Sequence, residues 1–303
     1  MLLIRLVELI VVLAAVVIVP LGLSAATTLD RTEKQDRFER AVRRAFPVVG
    51  LSLPVAMHWH GTALAFVLGL LYVAACVAVA LVGARRFAGR LARALRHRGR
   101  FPLEEVAVDL GMAYLVVGGA WTFAYVNELT VMGFAGLQCL LTAAHFHYAG
   151  FGACVVAGLL GRALPARGLV RVIHLPAALG MMSGIALLAA GIAAFHPLER
   201  IAAWVVAGSL VSLGLLLVWR AAHPGRTLAR VALGLAGLST LCSGALAAWF
   251  SATGFAMLGY EALKTMISLH GLVNALGFVG LGLLGLRWLR PDSRVAPEVS
   301  PAG

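Results

Sequence analysis

Leu141-Thr142-Ala143-Ala144-His145-Phe146-His147-Tyr148-Ala149-Gly150-Phe151 is the stretch whose reading decides the fold. It sits inside a run, residues 130 to 161, that contains no Asp, Glu, Lys or Arg. Apolar runs of about 18 residues or more are long enough to cross a bilayer as a helix. Two histidines one residue apart in such a run are costly unless they face a bundle interior, so they are candidate functional groups by default. In a continuous α-helix their side chains point about 200° apart. They can then serve two different pockets, or converge on one ion only if the helix breaks near Gly150.

The rest of the 303 residues repeats the pattern. The chain is 61% hydrophobic and 13% charged, about half the charge of a soluble domain, with a mean hydropathy of +0.93. The net charge of +12 is carried almost wholly by arginine, because Lys34 and Lys264 are the lysines. Those arginines lie in short segments between apolar runs, which is the positive-inside pattern. No basic patch interleaves with aromatics, so nucleic acid is excluded as a partner. Cys76, Cys139, Cys154 and Cys242 each fall in an apolar run without Cys-x-x-Cys spacing, and read as small buried residues.

Working outward, residues 1 to 23 form a first span that is retained. Residues 24 to 45 alternate acids and bases at helical spacing and predict a surface helix. The run from 46 to 83 would be ~57 Å long as one helix, nearly twice the ~30 Å hydrocarbon core. Pro47, Pro54 and the His58-Trp59-His60-Gly61 segment must break it. If the run crosses once there are eight spans, and if twice, nine. Arg85 to Arg100 is a basic loop. Glu104, Glu105 and Asp109 open the next span, near its N-terminus. Further spans are expected at about 172–195, 201–220, 228–250 and 265–288. The fold class is all-α, a polytopic transmembrane helix bundle of eight or nine spans. Residues 1–290 make one transmembrane domain, and 291–303 a short disordered cytoplasmic tail. Ala56-Met57-His58-Trp59-His60-Gly61 faintly echoes Ala144-His145-Phe146-His147-Tyr148.

A second informative stretch holds Glu261, Lys264, Ser268, His270, Gly271, Asn274 and Gly277. His270 and Asn274 are one helical turn apart on one face. The candidate catalytic set is His145, His147, His270, Asn274 and Glu128. The same three histidines are the candidate metal ligands. His58, His60, Gln138, Thr142, Glu261 and Lys264 are secondary candidates. His97 and His223 read as solvated and His196 as interfacial, while His174 is open to either a structural or a functional reading.

The 141–151 segment, together with His270-Gly271-Leu272-Val273-Asn274-Ala275-Leu276-Gly277-Phe278 and the Pro20-Leu21-Gly22-Leu23 ending of the first span, resembles the YndJ-like family of bacterial membrane proteins over most of the chain. That resemblance implies a multi-pass protein of the bacterial cytoplasmic membrane, and a fold more than an activity. Ala144-His145-Phe146-His147-Tyr148 also resembles the haem-ligand helix of haem–copper oxidase subunit I, where the two rings serve different haems. No adjacent His-His pair is present, and eight or nine spans are too few for that fold.

Two functions follow from these residues. One is a membrane enzyme or cofactor-binding protein, with a metal ion or haem as the cofactor class. It would act on a small lipophilic substrate entering from membrane lipid. The alternative is a transporter or channel for a small solute or proton, with the same residues lining a midplane site. A third reading, an assembly protein, leaves the histidines as contacts between helices.

Overall fold

A computed structural model describes residues 2–28, 37–97, 102–253, 261 and 264–289. The expected tail and the charged segment 29–36 lie outside these residues. The fold is an all-α bundle. Helix α1 covers residues 2–28, α2 is Arg37–Gly50, α3 Ser52–His58, α4 Ala63–His97 and α5 Leu103–Val126. Helix α6 is Leu137–Ala163, α7 Leu169–Ala194, α8 His196–Ala222, α9 Thr227–Thr253 and α10 Met266–Trp288. Among the described residues, eight helices are long and apolar enough to cross a membrane: α1 and α4 to α10. The chain is an integral, multi-pass membrane protein.

The overlong run at 46–83 is broken after Gly50 and again at residues 59–62, while Pro47 lies inside α2. Helix α2 ends at Gly50, α3 carries Pro54 in its first turn, and α4 starts only at Ala63. Glu39, near the start of α2, accepts a hydrogen bond from Arg86 of α4 at 3.3 Å. Gly50 packs on the Ala15 carbonyl, halfway along α1. His60, just beyond α3, reaches Glu8 near the start of α1 at 3.4 Å. The α2–α3 pair therefore runs antiparallel to α1 from one end of the bundle to the other. Val48, Leu51 and Val55 on it are exposed, as on the outer faces of the long helices. The described chain passes through the bundle nine times, eight times as a long helix and once as a broken one.

Helix α6 is the centre. Its span is 72% buried, against 33% to 50% for the others. Small residues make this burial possible. A side chain at Gly158 would come within 2.4 Å of the Glu104 carbonyl, and one at Gly152 within 2.5 Å of Val279. Helices α5 and α10 therefore lie directly against α6. The α4–α5, α7–α8 and α8–α9 neighbours are antiparallel hairpins, and α10 returns to pack on α9, α6 and α1. Three helices widen into i→i+5 turns, at Ala14–Ile18 in α1, Phe146–Ala153 in α6, and Met266–Gly271 with Val273–Leu281 in α10.

The two ends differ in chemistry. At one end Arg86 and Arg90 of α4 meet Glu105 and Asp109 of α5. Arg86 Nε lies 3.2 Å from Asp109, Arg90 Nη2 lies 2.8 Å from Glu105, and Arg90 Nη1 bonds Asp109 directly. Arg162 of α6 grips Glu105 with two nitrogens, at 2.5 and 2.7 Å, and donates to the Ala26 carbonyl of α1 at 2.8 Å. We call this the arginine end. At the other end the loop after α5 turns sharply. Val131 and Phe134 exchange two backbone bonds of 2.9 Å around Met132 and Gly133, both in the left-handed region.

Two expectations follow. In a cysteine-free background, single cysteines at Arg37 and Arg96 react with an impermeant thiol reagent from one side of sealed vesicles. Single cysteines at Trp59 and Met132 react from the other; Trp59 labelling together with Arg37 would mean that α2–α3 does not traverse. Arg90→Ala leaves the buried Asp109 with Arg86 as its remaining cation and costs up to about 3 kcal/mol. The measurement is the denaturation midpoint in detergent, with the exposed Arg96→Ala as control.

Candidate functional site

The opening motif divides as its geometry requires. Helix α6 stays continuous from Leu137 to Ala163, and the wide turn begins at Phe146. His147 is fully buried and His145 is exposed on the outer surface. Each ring donates from Nδ1 to the carbonyl four residues earlier: His145 to Leu141 at 2.8 Å and His147 to Ala143 at 2.7 Å. A carbonyl only accepts, so both rings carry a proton on Nδ1, and in the neutral ring Nε2 is the acceptor.

His147 uses that acceptor. The Tyr72 hydroxyl of α4 donates to its Nε2 at 2.6 Å, and the two rings lie 21° from parallel, 5.9 Å apart. Gly118 of α5 makes the space, since a side chain there would meet the imidazole at 2.8 Å. Both ring nitrogens of His147 are satisfied, so it has no lone pair for a metal ion while Tyr72 is bonded. His145 Nε2 has no hydrogen-bond partner among the described residues and faces outward.

His145 has His270 of α10 as an electrostatic neighbour. His270 and Asn274 meet Ser243 of α9. Ser243 Oγ lies 2.9 Å from His270 Nδ1, Asn274 Nδ2 donates to Ser243 Oγ at 2.5 Å, and Asn274 Nδ2 lies 3.1 Å from His270 Nε2. His270 is thus held on both nitrogens, and Asn274 Oδ1 is buried without a protein partner. Two of the expected residues, His270 and Asn274, come together at the α9–α10 seam, and His145 of α6 interacts with His270 through its charge alone.

The remaining candidates lie elsewhere. Glu128 is exposed in the loop after α5, close to Gly61 and at the other end of the bundle from Asp109. Thr142 bonds back to the Gln138 carbonyl at 2.9 Å on an exposed stretch of α6. Glu261 and Lys264 form an exposed pair at 3.4 Å. His58 is exposed beside Trp59, while His60 turns inward to Glu8. The two His-x-His segments therefore share a plan. The first ring faces out, and the second faces in and meets a tyrosine, Tyr125 for His60 and Tyr72 for His147.

Several residues at these sites escaped the sequence reading. Glu8, 6% exposed, accepts from Tyr125 at 2.8 Å and from Arg5 at 2.9 Å. It is the one acid between Met1 and Leu23, and a lone carboxylate in an apolar span was signal enough. Tyr72 and Ser243 carried no such mark, because one phenol or one hydroxyl in an apolar helix is common. Among the described residues, no three His, Cys, Asp or Glu side chains converge to hold a metal ion. Tyr72→Phe leaves His147 Nε2 buried and unpaired and should cost about 1–3 kcal/mol. Thermal unfolding in detergent reads this, and Gly118→Ala should lower the midpoint too, by crowding the same ring.

Comparison with known proteins agrees with this architecture. The family described as YndJ-like protein matches residues 9–278. A protein of Bacillus subtilis (strain 168) named "Uncharacterized membrane protein YndJ" is 32% identical over 185 residues, which is 61% of this chain and 33% of that protein. The chain thus aligns with about a third of that relative's length. No solved structure matches. The matched region takes in most of α1, all of α6 and more than half of α10, so the chain belongs to the YndJ-like family of membrane proteins.

Proposed function

We propose that this protein is a membrane enzyme acting on a small lipophilic substrate that reaches His145 from the surrounding bilayer. One observation carries the reading. His145 lies within a membrane-spanning helix, faces outward, and has an unbonded Nε2 acceptor beside the His270–Ser243–Asn274 network. A neutral imidazole with a free lone pair is a general base. Asn274 and Ser243 fix the His270 ring, so that it holds one wall of the site without competing for the proton. His147 belongs to the support. Its bond to Tyr72 sets the rotation of α6 and thereby the direction of His145. On the positive-inside bias we assign the arginine end to the cytoplasm, and a cytoplasmic C-terminus is part of the same reading.

The transport reading is favoured by a different observation. The α2–α3 crossing is broken at its middle and has ionisable clusters at both ends, Glu8–His60 at one and Glu39–Arg86 at the other. Broken helices of this kind mark solute paths in transporters.

Chemistry and transport are separable by experiment. Purified protein in detergent is incubated with a total lipid extract of the host membrane, and the extract is compared before and after by mass spectrometry. The enzyme reading expects a lipid-soluble product with the natural protein. It expects at least a hundredfold less product with His145→Ala, and a partial loss with Ser243→Ala, with insertion and expression unchanged. Unchanged product with His145→Ala, or no product from the natural protein together with His60-dependent proton flux in sealed proteoliposomes, would overturn it.

A further inference from the structure

Three buried polar atoms without a protein hydrogen-bond partner occur together where α5 begins, α6 ends and α7 begins: Glu104 Oε2, Arg171 Nη1 and His174 Nδ1. Arg171 Nη1 lies 3.8 Å from Glu104 Oε2, too far for a direct hydrogen bond. The His174 ring and the Glu104 side chain both crowd Gly161, where a Cβ would meet His174 Cε1 at 2.6 Å and Glu104 Cβ at 3.0 Å. His174 is fully buried and donates from Nε2 to the Ala157 carbonyl of α6 at 2.8 Å, which leaves Nδ1 as a lone-pair acceptor. Arg171 is committed on its other side, with Nε donating to the Pro165 carbonyl at 3.3 Å.

The polarity of the three atoms selects the occupant. Glu104 Oε2 and His174 Nδ1 each need a donor, and Arg171 Nη1 needs an acceptor. An anion would face the Glu104 carboxylate and the His174 lone pair. A metal or ammonium cation would face the Arg171 guanidinium. A ligand that donates twice and accepts once satisfies all three, and water is the smallest that does. We propose that Glu104, Arg171 and His174 form a site for one internal water molecule, which joins α5 and α7 beside the C-terminal turn of α6. Buried polar groups in folded proteins are paired with protein or with ordered water, and a bridging water is nearly as good a partner as a direct bond. Gly161 is the enabling residue, because any side chain there would occupy the space that His174 needs. The site is separate from the His145–His270 seam. It adjoins the Glu105–Arg162 pair through the chain itself, since Glu104 and Glu105 are consecutive.

The test is a cryo-EM or crystal structure of the full chain in lipid nanodiscs, fine enough to show ordered water. The expected result is one solvent peak within about 3.2 Å of Glu104 Oε2, His174 Nδ1 and Arg171 Nη1. A direct Arg171–Glu104 hydrogen bond with no peak, or a peak that touches only one of the three atoms, would overturn the proposal. Thermal melts give a second readout. Glu104→Leu and His174→Leu each lower the midpoint, and the double variant falls by less than the sum of the two, because the water is lost with either while the His174–Ala157 bond and the Glu104 charge are lost separately. Strictly additive losses would count against a shared ligand.

Discussion

Charge taken out of water must find opposite charge close by, and the arginine end of the bundle is built around that constraint. Arg86, Arg90 and Arg162 face Glu39, Glu105 and Asp109, with partners drawn from α2, α4, α5 and α6. Arg162 adds the last turn of α1 through the Ala26 carbonyl. Five of the six helices in the first part of the chain are thus fixed in depth and rotation by one network. Hydrophobic helices can slide against one another in lipid with little penalty, since the surroundings are equally apolar. A helix that carries a buried guanidinium cannot, and the positions of Tyr72, His147 and Gly118 deeper in the bundle follow from that anchoring.

Much of the fold was legible because the membrane imposes few solutions. Length and apolarity located the long spans, and arginine placement paired their ends. The break in 46–83 was legible from its length and from Pro54, which lies in the first turn of α3, whereas Pro47 lies inside α2. Whether it made a crossing was not, because residues 24 to 45 nearly balance their own charge. It took the Glu39–Arg86 and His60–Glu8 contacts, which join residues 47 and 52 apart in sequence, to settle the path. The acids Glu104, Glu105 and Asp109 were read as helix-dipole partners; their larger role is ion pairing, which depends on where Arg86, Arg90 and Arg162 fall in space.

The candidate site was legible to about the same depth. A spacing of two residues on a helix sends His145 and His147 to different sides, and that held because α6 does not break. The one-turn spacing of His270 and Asn274 placed them together. What spacing cannot give is the third partner from another helix. Ser243 and Tyr72 complete the two sites, and each is an ordinary residue in its own helix. Glu128 shows the reverse. Its charge marked it as a candidate, but a charge at a loop is free to face water, and it does.

The wide turns in α1, α6 and α10 touch one another across the bundle. Each is equivalent to one residue more than a regular α-helix of the same height would hold. If the wide turn in α6 closed to regular α geometry with every residue kept, everything beyond it would turn by about 100°. Arg162 would then swing away from Glu105, and His147 and Arg162 could not both keep their partners. The spacing between the mid-bundle imidazole and the arginine end is therefore counted in residues, and the wide turn that absorbs the extra one in α6 is what keeps the two in phase.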